Sequence, residues 1–574
     1  MKKTFTKSYV FCFLNLMVIA SLSAHSPVEK GDYPTDYFRA PVEGEVRLSG
    51  TFGELRSNHF HSGIDIKGFR GRKIVSAAEG YIYRINVRAG GYGNGLYIKH
   101  PNGYITVYGH LNSYSKEIAD FVAKWQADNH QFEVDYYPDS TEFKVTKGQQ
   151  VGTMGNTGYS FGPHLHFEIR EAKTDNPINP LHFGIQVPDS RAPLMNQLRI
   201  FGLDENTLTT QKKTYKLQST GAGRYSVNKD TLLIQAEQAG VGIKTYDLMD
   251  AVRNWNGVYK IAMLVDGQQQ YQIELDQFSF EEWAYLNAHV DYQDVQENKS
   301  YFNRCYKMPG NQFSGYDLSD NNGIITLNED KAKRIEIISS DFKGNETRVG
   351  FWLKKAPGPL ATRNNSYNYF LPHQQENQIN NYYLYLKFPE GIFYEDLEME
   401  YHFDQAQGPN IFSTTHSIHN PLTPIHKSFE IAIRPSLIPE QLKEKAFIAR
   451  CSENNQITNC GGKWEAGMLR TRVGSFGDYA VMIDTVPPKI QAEDFRTDLR
   501  GRKSINFKAT DDIGSSLSYE ANIDGEWVLL TYDLKYDRFT HTLDKNLAPG
   551  EHLFRLEITD ALNNVAVFEK TFLR

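Results

Sequence analysis

The sequence predicts a mainly β protein: an N-terminal antiparallel β domain followed by two or three β-sandwich, Ig-like modules. Three observations predict it. Through the first third of the chain, short apolar runs of period two are separated by turns rich in Gly, Pro and Asn. Beyond Pro188, further β-type runs alternate with polar loops. Two segments also recur weakly: Pro188-Asp-Ser-Arg-Ala-Pro and Asp484-Thr-Val-Pro-Pro each lead into an apolar run, and each is followed at domain length by a similar ending, Asp341-Phe-Lys-Gly-Asn and Asp560-Ala-Leu-Asn-Asn. A chain of 574 residues exceeds what one core holds. The breaks divide it into residues 25–187, 188–355, 356–484 and 485–574.

Hydrophobic residues at 40% and charged residues at 23% are globular values, and a net charge of -7 gives no support for nucleic-acid binding. Residues 1–24 read as a signal peptide, with basic Lys2, Lys3 and Lys7, an apolar run over 10–22, and small Ser21, Ser23 and Ala24 before a polar stretch. That predicts export to the periplasm, the cell envelope or the exterior. The run is too short for a membrane anchor and is interrupted by Asn15, and Cys12 lacks the preceding small residues of a lipidated cysteine. No later stretch is apolar enough to predict a transmembrane segment. In an oxidising compartment Cys451 and Cys460 are close enough in sequence to close a small loop, leaving Cys305 single. Their spacing makes no zinc site, so any metal must come from histidine and carboxylate.

Taken in order, residues 48–71 are short apolar pieces broken by Gly53, Gly63 and Gly68. His61 and Asp65 lie here, and in an unbroken strand they would stand about 13 Å apart, so sharing one ion requires a bend at Ser62-Gly63. His59 has no acid at a matching offset and reads as flanking. Residues 73–86 predict two strands about Gly80, and Gly90-Gly-Tyr-Gly-Asn-Gly95 predicts a hairpin loop, since neither a helix nor a Lys-Ser/Thr pair comes after it. Strands over 96–100 and 104–110 flank the turn Pro101-Asn-Gly103, and His110 closes the second. Ile118, Phe121, Val122 and Trp125 at helical offsets predict a short amphipathic helix over 116–128, then a polar stretch to 142. Strand and turn resume over 143–155.

The chain then reaches Gly162-Pro-His-Leu-His-Phe-Glu-Ile-Arg170, where His164, His166 and Glu168 alternate with Leu165, Phe167 and Ile169. Side chains two apart on a strand point the same way, about 6.6 Å apart, so both imidazoles reach one small site. Spacing alone leaves their roles interchangeable. Two histidines and one carboxylate are a usual protein set for a catalytic zinc, which lowers the pKa of a bound water from about 15.7 to about 7. Two further histidines then have proton and oxyanion work to do. Behind Pro188 no such constellation occurs. Glu281-Glu-Trp283 and Tyr382-Tyr383 read as surface and core, although exposed aromatics of a sandwich also suit a carbohydrate or protein partner.

His61-Ser-Gly-Ile-Asp65, Tyr108-Gly-His-Leu111, Gly155-Asn-Thr-Gly158 and Gly162-Pro-His-Leu-His-Phe-Glu168, in this order, resemble the lysostaphin/LytM-type zinc metallopeptidases of family M23 over residues 40–185. The resemblance implies one zinc on His61, Asp65 and His166, with His110 and His164 as the catalytic pair outside the ligand set. It implies a β-rich groove and hydrolysis of the peptide cross-links of peptidoglycan as the substrate. Residues 118–142 are longer than the matching loop of compact members, which suggests an extra wall or lid. Relatives that have lost ligands serve as amidase activators, whereas all five positions are filled here. The expected function is thus an exported zinc metalloendopeptidase, its rear modules holding it on the wall or on an envelope protein. A non-catalytic envelope scaffold or amidase activator with a structural zinc, and a secreted protease acting on proteins, are the alternatives.

Overall fold

The structure is a computed structural model that describes residues 32–319, 321–363, 366–405, 410–452, 456–514, 516–544 and 547–574. The expected signal peptide and Cys12 lie outside the described residues.

Period-two burial builds the N-terminal β domain. Its strands are β1 (Leu48–Gly50), β2 (Ile64–Lys67), β3 (Lys73–Val75), β4 (Gly80–Val87), β5 (Asn94–Lys99), β6 (Tyr104–Gly109) and β7 (Leu111–Tyr114). After helix α1 (Lys116–Asn129) come β8 (Val134–Tyr136), β9 (Lys144–Val145), β10 (Gln150–Met154), β11 (His164–Glu171) and β12 (Pro177–Ile178). The main sheet runs β1-β2-β11-β6-β5-β4-β8, and a smaller one runs β3-β10-β7, all pairs antiparallel. Ile64, Ile66, Leu96, Ile98, Leu165, Phe167 and Ile169 fill the core between them. The predicted helix forms with Ile118 and Val122 buried, and Trp125 packs more peripherally.

The inserted segment does not roof the histidines. Its helix packs into the core, and β8 extends the sheet at the edge away from β2, β11 and β6. Its turn instead meets the far end of the chain, where His130 stacks on Trp527 at 5.1 Å.

Behind this domain, strands from Leu194–Leu203 to Glu346–Lys355 form a five-stranded and an eight-stranded sheet over one core. Here Arg224–Ser226 and Thr231–Ile234 pair in parallel with Glu346–Lys355. Among them lie short helical turns that period-two patterning does not announce. One begins at Ser279, where the buried Glu282 closes a capping box and also accepts from the Ser314 amide. Two five-stranded sheets enclose a third core, and two four-stranded sheets over Lys489–Leu573 enclose a fourth.

The first two cores interlock. Phe52 and Phe60, from the segment between β1 and β2, are buried in the second core, where Phe52 stacks on Phe278 at 4.9 Å and Phe60 on Phe313 at 4.7 Å. Met249, Val252 and Phe342 reach the other way into the first core.

Cys451 and Cys460 are free thiols. Cys451 pairs with Ile457, and the Cys460 amide bonds to Ile448 O three residues up the same hairpin. That offset places the two cysteines about 10 Å apart, beyond what a disulfide spans. Closeness in sequence did not make closeness in register. Among the described residues no helix is long and apolar enough to cross a membrane.

Candidate metal and catalytic site

Strand pairing assembles the site. β11 lies between β2 and β6, with His166 opposite Asp65 on one side and Gly109 on the other. A Cβ on Gly109 would stand 3.2 Å from that of His166, so the missing side chain leaves room for the imidazole. His110 comes next at the end of β6 with φ of 61°, a left-handed conformation uncommon for a non-glycine residue. It turns the chain out of the strand and is held by the His110 N–H bond to Tyr92 O.

The bend expected after His61 is present at Gly63, where an added Cβ would meet Phe167 O at 2.4 Å. The approach of β11 therefore requires glycine there. His61 is fixed from behind by backbone bonds with Gly53 and Glu54.

All five predicted residues meet. His61 Nε2 lies 3.1 Å, His166 Nδ1 3.0 Å and His164 Nε2 3.5 Å from Asp65 Oδ1, and His61 Nε2 is 3.0 Å from His166 Nδ1. The His110 ring centroid lies 4.7 Å from that of His164 and 6.0 Å from that of His166. His61, Asp65, His110 and His166 are buried, and His164 is half-buried at the rim. His59 turns aside onto Trp283.

Each imidazole uses one nitrogen outside the cluster. His61 Nδ1 meets Thr51 O at 2.7 Å, His110 Nδ1 meets Thr157 O at 2.7 Å, and His164 Nδ1 meets Gly162 O at 2.8 Å. A carbonyl only accepts, so these three nitrogens carry the hydrogen, leaving the Nε2 lone pairs free in the neutral rings. His166 is reversed: Nε2 donates to Glu168 Oε1 at 2.7 Å, and Nδ1 faces inward.

These contacts set the electrostatics. Burial lowers His61, and burial with neighbouring His164 and His166 pushes His110 down to about 3. Burial also opposes charge on His166, but its bonds to Asp65 and Glu168 outweigh this and hold it up at about 9. Against its burial, Asp65 is pulled well below the carboxylate range by neighbouring His61 and His166. Arg56 Nη2 binds Asp65 Oδ2 at 2.9 Å, leaving Oδ1 to the histidines.

The donor set fits a divalent metal. Two inward imidazole nitrogens and a carboxylate oxygen converge from His61, His166 and Asp65, with these atoms within 4.8 Å of one another. Without a proton or cation between them the imidazole lone pairs would face each other at 3.0 Å. Nitrogen and oxygen donors from two histidines and one aspartate suit zinc and leave coordination positions open.

Sequence reasoning passed over several supporting groups. Tyr92, read as part of a hairpin loop, stacks on His166 at 4.9 Å and donates its hydroxyl hydrogen to Glu168 Oε1. Glu168 is fully buried, accepts from Ser62 Oγ at 2.7 Å and from Arg170 Nε at 2.5 Å, and so fixes the ring of His166. Its strand alternation with His164 and His166 was the available signal. Nothing local marks Tyr92.

Comparison with known proteins bears on two regions. Residues 59–127 and 133–180 match peptidase family M23, and residues 368–484 match the Zu5-like domain, within the expected third module. The DD-carboxypeptidase/endopeptidase Mpg of Neisseria meningitidis is 32% identical over 149 residues, or 25% of this chain and 28% of that protein. The murein hydrolase activator NlpD of Escherichia coli is 34% identical over 149 residues, or 26% of this chain and 32% of that protein. The chain thus spans about a third or less of the length of these relatives. The catalytic domain of the prophage-encoded M23 protein EnpA from Enterococcus faecalis is 25% identical, with 25% of this chain and 97% of that one covered at a TM-score of 0.20. In its first third this chain carries a domain of peptidase family M23, and further on a Zu5-like domain.

Proposed function

We propose that the protein is an exported zinc metalloendopeptidase that hydrolyses the peptide cross-links of bacterial peptidoglycan. One observation carries the reading: the four imidazoles each commit one ring nitrogen to an outside acceptor, His61, His164 and His166 turn the other toward Asp65 Oδ1, and the ring of His110 lies against that of His164. His61 Nε2, Asp65 Oδ1 and His166 Nδ1 would hold the zinc. When bound, zinc supplies Lewis acidity and makes water acidic enough to yield hydroxide near neutral pH.

His110 and His164 are the catalytic pair. His110 keeps its Nδ1 hydrogen on Thr157 O, which leaves Nε2 as the nitrogen that exchanges a proton. His164 is half-buried at the rim, with its Nε2 3.5 Å from Asp65 Oδ1. Between them they take the proton from the attacking water and return it to the leaving amine as the new C–O bond forms and the C–N bond breaks. The units behind Pro188 position the enzyme on the wall or on an envelope protein.

Purified protein digesting isolated sacculi, with the products identified by mass spectrometry, tests this. Release of peptides cut at one defined bond, absent from zinc-loaded His110→Ala, is the expected result. The likeness to a murein hydrolase activator favours a second reading, in which the chain recruits an amidase and cuts nothing. Sacculi left intact by the protein alone, yet digested faster by an added amidase, would establish that reading instead. Cleavage of unrelated peptides with sacculi untouched would make it a protease of proteins.

A further inference from the structure

Three aspartates from distant parts of the chain meet where the peptidase domain joins the second unit. Asp189 precedes the first strand of that unit, Asp247 comes directly after Gln238–Tyr246, and Asp341 directly after Lys333–Ser340. Each offers a carboxylate oxygen, and these oxygens lie within 4.8 Å of one another. Asp341 is occupied by the Asn345 amide and side chain, and Asp189 Oδ1 by the Arg191 amide at 3.1 Å.

Asp247 is different. It is 1% exposed, and neither carboxylate oxygen has a hydrogen bond of acceptable geometry. Asn256, also 1% exposed, exchanges both backbone bonds with Asp247, so its side chain projects on the same side, and neither its Oδ1 nor its Nδ2 has a partner. A buried carboxylate and amide without a well-formed hydrogen bond are costly unless something is bound between them.

Burial and then the other two acids push Asp247 up to about 8, and burial raises Asp189 to about 6, with the exposed Arg191 opposing only weakly. These carboxylates repel one another and lack a counter-charge of sufficient strength.

We propose that Asp189, Asp247 and Asp341, with Asn256 beside them, form a calcium site that locks the peptidase domain to the second unit. The donors are all oxygen, as calcium requires, and half-buried Asp189 leaves the rim open for water to complete six to eight ligands. The loops that bear Asp247 and Asp341 also carry Met249, Val252 and Phe342 into the peptidase core, so a cation there ties both sides of the joint. The pattern recurs further on. Asp484, Asp511 and Asp512 converge similarly, Asp484 accepts from the amide two residues on as Asp189 does, and Asp560 holds Asn564 as Asp341 holds Asn345.

The test titrates calcium into the full chain, freed of calcium and kept saturated with zinc, by calorimetry and thermal melting. Wild type binds calcium and melts several degrees higher with it, and magnesium at the same concentration gives a smaller rise. Asp247→Asn binds one calcium fewer per chain, yet without calcium melts no lower than wild type because a repulsion has been removed. Asp189→Asn, at the open rim, weakens binding at least tenfold and guards against a folding defect in the first variant. Unchanged stoichiometry in Asp247→Asn, a wild-type melt indifferent to calcium, or an equal response to magnesium would overturn the assignment. None of these readouts depends on peptidase activity.

Discussion

Glu168 Oε1 accepts a hydrogen bond from His166 Nε2 at 2.7 Å, two residues along the same strand. The carboxylate thereby decides which nitrogen of His166 faces the proposed metal and raises its basicity. Glu168→Gln keeps the shape and removes the charge. Zinc affinity, read by competition with a chromophoric chelator, should fall about 10–100-fold, while an unchanged affinity would show that Tyr92 and the strand hold the ring by themselves.

The two kinds of site residue should separate in a single pair of measurements. Asp65→Ala removes a proposed ligand and should leave the purified protein with less than its full zinc complement. His110→Ala should retain about one zinc and lose on the order of 100-fold or more in turnover. Zinc loss in both variants would place His110 among the ligands.

Phe60, next to His61, belongs to the core of the second unit through its stack on Phe313. Phe60→Ala should destabilise the protein by about 3–5 kcal/mol in denaturant unfolding. Phe161, fully exposed on the loop before His164, is the control, and its replacement by Ala should change stability by less than about 0.5 kcal/mol.

Acid should weaken the fold through its buried histidines. Burial pushes His289 down to about 4 from 6.5, and it pushes His416 and His419 to about 4 as well. Because the folded values lie below the unfolded one, the stability from keeping these rings neutral is complete above pH 6.5 and is lost as pH falls toward 4. For fully buried His289 the loss is on the order of 3 kcal/mol. Unfolding free energies measured from pH 7 to 4.5 should decline steeply, and less so in His289→Gln. Identical slopes would mean that this ring is not neutral in the native state.

Much of this was legible in the sequence because the relevant physics is local. Period-two alternation located β11 and placed His164 and His166 together, and helical offsets located α1 to within a residue of its observed end. The need for a bend between His61 and Asp65 came from strand rise and is met at Gly63. What escaped depends on register and distant packing. Tyr92 reaches His166 only after β4 and β5 fold beside β6, and Cys460 falls opposite Ile448 because of how its hairpin pairs. Phe52 and Phe60 look like core residues of their own domain until the second unit is in place.

That exchange of side chains has an evolutionary side. A domain that merely sits beside its neighbour can be recombined, trimmed or tethered elsewhere with its chemistry intact. Here Phe52 and Phe60 flank the Thr51-to-His61 contact that orients one inward imidazole, and both phenyl rings are buried in the core of the second unit. The peptidase domain of this chain is therefore poorly suited to domain shuffling: moved alone, it would carry two unsheltered aromatic rings and a loosened His61, so the first two units are expected to be inherited together.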